Sequence, residues 1–495
     1  MKICTLLCKA NILMIIAVLL PFLCAVLILM LRNLLYAKQL ITLVSSLALI
    51  IIIINIYSTF VKDKSAFLLN YYFLYPQILI SFNIEIIGMM FSILASFLWL
   101  ITNIYTFSYM YHNDSHNKKQ SIFYASFAAS IGCTICIAFS GNLITLFIFY
   151  ELLTICTYPL ITYYINSNSQ LSGKYYIKIL LCTSIALFFP AIVITFNITG
   201  TLDFHNGGIF KGDISAPFLI LIITLFSYGI GKSAIMPTHF WLPKAMVAPT
   251  PVSALLHAVA VVKSGVFTIL KIIVYIMGVQ KTHIIVAPEY NILMYTSATT
   301  VIIGSLIAMQ QDNLKKLLAY STISQLSYII VAASLYTNAS IKAAIFQLIS
   351  HALGKITLFF AAGAIYTSTG KKNISEIHGI GKYMPITMIA FSIGALTMIG
   401  VPPTSGFWGK FDIISALLHQ RNFFVMSILI LSTLLNTMYF MPIIYKVFFM
   451  PSSIHNIKEA PKCMLIPMLI TSICTLILFF KPSIIHHMMN FITFQ

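Results

Sequence analysis

Residues 216–237 read Ala216-PFLILIITLFSYGIGKSAIM-Pro237, and Lys232 stands inside this apolar run. The run is long enough to cross a bilayer, for which about 20 apolar residues suffice. A charged side chain at the membrane centre costs roughly 2.5–3.5 kcal/mol on insertion scales. A chain keeps such a group only where it faces protein or water, so Lys232 marks the interior of a helix bundle. Lys263, Lys355 and Lys410 have similar settings, and Glu151 lies near the middle of another apolar run. A membrane protein with an ionisable interior, suited to moving protons or cations, follows from these residues.

The rest of the chain repeats the pattern. Of its 495 residues, 60% are hydrophobic and 8% charged, a balance that supplies no polar surface for a soluble domain. Hydropathy predicts an all-α polytopic protein of about fourteen transmembrane helices. They fall near 11–31, 40–60, 83–109, 121–140, 142–164, 175–198, 216–238, 253–278, 290–310, 314–336, 341–367, 385–418, 422–447 and 463–480. All are read as helices, because a chain in lipid must satisfy its own backbone hydrogen bonds. An even count puts both termini on one face. Fourteen loop Lys and Arg residues follow odd-numbered spans and nine lie on the other side. The positive-inside rule then puts both termini outside the cytoplasm.

The net charge of +18 is scattered singly or in pairs at span ends. With no basic face it excludes a nucleic-acid partner and fits lipid headgroup contacts. Lys2 and Lys9 precede an apolar run longer than a signal-peptide core, so the N-terminus is read as a first span. Cys133 and Cys136 form a C-x-x-C with no second pair, and no metal or cofactor is expected. There is no H-E-x-x-H and no G-x-S-x-G. Gly231-Lys232-Ser233 ends like a phosphate loop, but Phe226 stands where the first glycine belongs.

Two spans are expected to be broken. The seventh meets Pro237, Pro243, Pro249 and Pro251; the twelfth contains Gly400-Val-Pro402-Pro403. Proline removes a backbone donor and clashes with the preceding turn. Within a membrane such breaks survive where the freed groups face protein or a polar cavity. The flanks are alike, Pro237-THFWLPK against Pro403-TSGFWGK, a trace of an internal repeat. Paired broken helices in two halves of a chain point to a transport site.

Around these breaks the sequence supplies a line of ionisable groups. In the pair Glu151 and Lys232, the distance between the charges sets how tightly a proton is held. Lys263 sits about ten residues into the eighth span, near mid-membrane, with His257 six positions earlier and out of touch with it on a regular helix. His351 and Lys355 are four apart and share one helix face. Lys410 follows the second break, and Asp412 is either its counter-charge or loop-facing. Lys271 is read as a snorkelling lysine or a further relay member. Lys316, at the edge of the tenth span ahead of Ser321, Thr322, Ser324, Gln325 and Ser327, is read as interfacial or as a relay entrance.

Pro237-THFWLPKAMVAPTPVSALLHAVAVVKSGVF, Gln311-DNLKKLLAYSTISQLSY and His351-ALGK closely resemble the antiporter-like membrane subunits shared by respiratory complex I and the Mrp-type Na+/H+ antiporters. The resemblance covers roughly residues 120–450. It implies fourteen helices with two inverted five-helix repeats and broken helices 7 and 12. It divides the single membrane domain, 1–495, into helices 1–3 (1–120), a first repeat of helices 4–8 (121–278), a second of helices 9–13 (289–449) and helix 14 (462–495). It also implies roles: Glu151 as the fifth-helix glutamate, Lys232 as its lysine partner, Lys263 as the central lysine beside His257, His351 and Lys355 as the eleventh-helix relay, and Lys410 as the terminal charge.

Within the family, Gly406-FWGK is most similar to the Mrp D subunit, and lysine at 410 departs from the glutamate of the complex I M-type. Lys410 with Asp412, and Ala248-PTPVS, lean toward the L-type and Mrp A subunits. The chain stops soon after its fourteenth span, without their long extensions. The expected function is therefore a proton-translocating subunit of a multisubunit Na+ or K+/proton antiporter, D-like, in a bacterial inner membrane. Other membrane subunits, the bilayer, H+ and Na+ or K+ are its expected partners. The alternatives are a pump subunit of an NADH-quinone oxidoreductase and a non-transporting scaffold.

Overall fold

Spans eight and eleven form the centre of the bundle. Every residue in the most apolar stretch of span eight is buried by protein, as is 94% of that in span eleven, against 33% in spans one, two and six. The computed structural model describes residues 2–63, 68–75, 78–114, 119–210, 214–452 and 457–492. Lys64, Lys118 and Lys211, which count in the loop-charge balance, lie outside them.

Eleven helices among the described residues are long and apolar enough to cross a membrane. They are spans one (Asn11–Met30), two (Tyr36–Val61), three (Ile86–Asp114), four (Gln120–Phe139), five (Leu143–Ile161), six (Ser167–Thr199), eight (Thr250–Met277), nine (Ile292–Met309), eleven (Asn338–Thr369), thirteen (Phe423–Phe449) and fourteen (Lys462–Phe480). Span ten is Leu314–Ala333, less apolar because of its serines and threonines. Spans seven and twelve are the broken ones, each opening with a short apolar helix, Ala216–Gly229 and Pro385–Ile399. Together these make the fourteen crossings that hydropathy predicts.

Polar residues set where the helices begin. The side chains of Asn142, Asn166, Asn291, Asn313 and Asn422 each accept a backbone N–H in the first turn of the span that follows. Thr337 and Ser340 form a capping box at the start of span eleven. Such caps satisfy donors that a helix cannot satisfy itself. Thr337→Ala is expected to lower stability by about 1 kcal/mol, read as a shift in the denaturation midpoint of the protein in detergent.

One element escapes the all-helix reading. Leu68–Tyr75 (β1) pairs antiparallel with Ile78–Asn83 (β2), ahead of span three. The 83–109 boundary therefore begins inside a hairpin. Aromatic and β-branched residues fit a strand as well as a membrane helix, so hydropathy alone does not separate them. The end of β2 is held to span five: Gly141 N–H donates to Ser81 O at 2.8 Å, and Ser81 N–H to Thr145 Oγ1 at 2.9 Å.

Candidate proton path

Span seven ends its first helix at Gly229 and passes through a single turn, Gly231–Ser233, before Pro237. This turn sits fully inside the protein, so its backbone groups take partners from neighbours. Trp241 Nε1 donates to Gly231 O at 3.0 Å, and Tyr150 Oη accepts from Lys232 N–H at 3.1 Å. The Lys232 ammonium donates to Tyr150 O and lies 3.5 Å from the centre of the Tyr150 ring. Gly265 of span eight makes the close approach possible: a Cβ there would stand 2.5 Å from the Lys232 carbonyl carbon.

Glu151 and Lys232 are neighbours through Tyr150, yet they make no direct ion pair. Among the described residues, neither carboxylate oxygen of Glu151 has a hydrogen-bond partner. The lysine has turned to a carbonyl and the carboxylate stands apart. Tyr150 of span five thus holds Lys232 of span seven beside Glu151 with no ion pair between the two charges.

The centre of the bundle departs from a regular helix. Span eight runs through Thr250–Ala258, Val261–Ile272 and a closing wide turn, Ile273–Met277, and its first two parts are separated where Ala260 N–H bonds Leu255 O, five residues back, at 2.9 Å. Such a widened turn is frequent at functional sites. It interrupts the regular helix between His257 and Lys263, and no hydrogen bond joins the two. The Lys263 ammonium meets His351 Nδ1 of span eleven. His257 is buried against the Phe359 ring at 4.8 Å between ring centres, and neither of its nitrogens has a partner among the described residues.

On span eleven, Gln347, His351 and Lys355 recur every four residues and so line one face. Lys355 Nζ donates to Ser321 Oγ and, at 3.0 Å, to Leu318 O of span ten. Gln347 Nε2 donates to Gln325 Oε1 at 3.1 Å. The serine-rich face of span ten thus packs against Lys355. Beyond it, Ser324 Oγ lies 2.9 Å from Ser305 Oγ, which is 3.0 Å from Ser432 Oγ.

The second break holds Lys410. Its ammonium donates to Met398 O at 2.8 Å and Ile399 O at 3.0 Å, and stands 4.8 Å from the Tyr328 ring centre. Those carbonyls close the half-helix Pro385–Ile399, whose C-terminal end carries partial negative charge. Asp412 is not the counter-charge of Lys410; the carbonyls take that place.

Two residues for which the sequence allows alternatives have definite places. Lys271 does not snorkel: it is wholly buried, because Glu85 stands 3.3 Å away and the Ser140 carbonyl accepts from it. Lys316 lies exposed at the span edge, while its neighbour Lys315 turns inward and donates to Ala248 O at 2.7 Å. Sequence reasoning missed Glu85, Lys315 and Tyr150. An acid at the rim of an apolar run signals the first, the Lys315-Lys316 doublet the second, and Tyr150 carries no signal beyond adjacency to Glu151.

Polar cavities open at both faces. One of about 470 Å³ is lined by Tyr109, Asn113, Thr250, Asn313, Lys315 and Lys372 among others. Its walls are span ends on the face opposite the termini, above the start of the helix bearing His257. The other, of about 480 Å³, lies on the face of the termini and includes Glu85, His205 and Tyr275.

Comparison with known proteins agrees with this architecture. The archaeal membrane-bound sulfane sulfur reductase complex contains a chain that superposes with a TM-score of 0.84 at 21% identity, covering 96% of each chain. A chain of the Mrp complex from Dietzia sp. DQ12-45-1b superposes at 0.75 and 18% identity, covering 98% of this chain and 95% of that one. Among curated sequences, the chloroplastic NAD(P)H-quinone oxidoreductase subunit 5 of Glycine max is 31% identical over 342 residues, 66% of this chain and 44% of the relative. Chain 5 of the Picosynechococcus sp. enzyme is 31% identical over 353 residues, 67% of this chain and 50% of the relative. The match thus spans about half the length of these curated relatives. The model of the NADH:quinone oxidoreductase/Mrp antiporter transmembrane family matches residues 140–436, which hold both breaks and every lysine of the path. The chain is a multi-pass membrane protein and belongs to the NADH:quinone oxidoreductase/Mrp antiporter family.

Proposed function

We propose that the chain moves protons across a membrane along Glu151, Lys232, Lys263, His257, His351, Lys355 and Lys410. The contact between Lys263 and His351 carries this reading, because it joins the two halves of the molecule through groups that exchange protons. The halves, 121–278 and 289–449, act as two repeats, each with one lysine at a helix break. The gap between Glu151 and Lys232 is the adjustable element: closing it holds a proton on the lysine, and opening it weakens that hold. Neighbouring membrane subunits supply the driving event.

In its finer form the chain is a D-like subunit of a Na+ or K+/proton antiporter in a bacterial inner membrane, with both termini outside the cytoplasm. Gly406-FWGK and the balance of loop charges support that form. A second reading, a pump subunit of a quinone-reducing complex, is favoured by the curated relatives, which are subunit 5 of NAD(P)H-quinone oxidoreductases. An imposed Na+ or K+ gradient drives protons in proteoliposomes under the first reading and not under the second.

The test of proton movement itself is Lys232→Ala, with Glu151→Ala beside it, in the reconstituted assembly. Transport is expected to fall by roughly 10²-fold, the low end of what a positioned acid–base group supplies. Full transport by a correctly assembled Lys232→Ala protein would refute the assignment.

A further inference from the structure

The Glu85–Lys271 ion pair lies apart from the path described above. Glu85 lies between β2 and span three, and its carbonyl accepts the Met89 N–H of the first turn at 2.8 Å. Its side chain is 10% exposed, toward the cavity on the face of the termini, whereas Lys271 is wholly buried beneath it. The lysine also donates to Ser140 O and stands 4.5 Å from the Phe204 ring centre. A carboxylate at the floor of a polar cavity, backed by a sealed ammonium, is an ordered arrangement: water reaches the acid first and the base only through it.

The same pair connects inward. Lys271 lies eight residues beyond Lys263 on span eight, about 12 Å along a helix at 1.5 Å per residue. Between them stand Thr268, which donates to Ser264 O, and Ser264, whose buried hydroxyl has no partner among the described residues. The titratable and charged groups facing Glu85 are Lys271 and Tyr275 of span eight and His205 of the loop after span six.

We propose that Glu85 is the proton port of the face bearing the termini, exchanging H+ with the cavity, while Lys271 alternates between pairing with it and turning toward Lys263. The step is a proton transfer only: Glu85 gains H+ from the cavity, the ion pair is lost, the freed ammonium hands its proton inward, and the neutral lysine then takes the Glu85 proton, which restores the pair; the reverse order releases one. Burial pushes the Glu85 carboxyl up to about 7, with the Lys271 ammonium pulling the other way. The acid therefore changes state near neutral pH and binds a proton as pH falls through that value.

This inference rests on the proton-transport reading, and the experiment separates the two. The reconstituted assembly is compared as wild type, Glu85→Gln and Glu85→Gln/Lys271→Met. Both variants are expected to lose at least tenfold in proton flux. The double variant removes both charges and leaves no unpaired ion, so a merely structural bridge predicts normal flux for it. In parallel, the infrared band of a protonated carboxyl is followed against pH. It is expected to grow as pH falls through about 7 in the wild type and to be missing from Glu85→Gln. An active wild type with an equally active double variant, or an infrared signal indifferent to Glu85, overturns the port alone. An inert wild type overturns the transport reading, and the port with it.

Discussion

A Lys263→Met variant is expected to insert and fold, and to lose at least about 10²-fold in proton transport. Methionine keeps the length and apolar stem of lysine, so the packing of span eight survives. What disappears is the contact with His351 Nδ1. Span eight is buried along its whole apolar stretch, so no surface side chain can stand in for the missing ammonium. Removing a charge from this site also removes a buried ion, so stability should hold or rise. The measurement is proton flux in proteoliposomes, with a melting curve on the same preparation. Unchanged flux with an unchanged melting curve would show that protons do not cross between the halves at this point.

Gly265→Ala is expected to have the second largest effect, and through packing. The added Cβ would stand 2.4 Å from Ser233 N and 2.5 Å from the Lys232 carbonyl carbon. Both are backbone atoms of a turn that is itself fully buried, so neither can swing aside. Overpacking typically costs 1–3 kcal/mol, occasionally more. The turn holding Lys232 is the part that must shift, so a loss of flux should accompany the loss of stability. A Gly265→Ala protein as stable and active as its parent would mean that span eight does not press on the break.

Much of the fold was legible because lipid leaves a chain few options. Apolar runs of sufficient length must be helices, and each span found by hydropathy is present. The breaks were legible from Pro237 and Gly400-Val-Pro402-Pro403, since proline cannot continue the hydrogen-bond ladder. The hairpin of Leu68–Tyr75 and Ile78–Asn83 was not, because hydropathy sees only that its residues are apolar. The widened turn at Ala260 was hidden for a related reason: nothing in Val259-Ala-Val-Val262 distinguishes it from ordinary helix.

At the site, residue identity was legible and residue pairing was not. Buried lysines announce themselves by their cost, but partners on other spans depend on rotation of each helix. Spacing allows Asp412 either as the counter-charge of Lys410 or facing a loop, and Lys410 lies on two carbonyls; it allows Lys271 either to snorkel or to join the relay, and Lys271 pairs with Glu85. In each case the actual partner lies elsewhere in the chain or is backbone, where sequence spacing gives no guidance.

The uneven enclosure of the spans divides the chain by how freely it can drift. Spans one, two and six leave most of their surface uncovered by the rest of the chain, and where such a surface meets lipid, leucine, isoleucine, valine and phenylalanine serve almost interchangeably. Spans eight and eleven meet only protein, so each side chain there is fitted against a fixed neighbour. Random mutagenesis should therefore recover many neutral exchanges on the outer helices and few on the central two. A homologue could rewrite its outer coat entirely while the two inner helices stay readable.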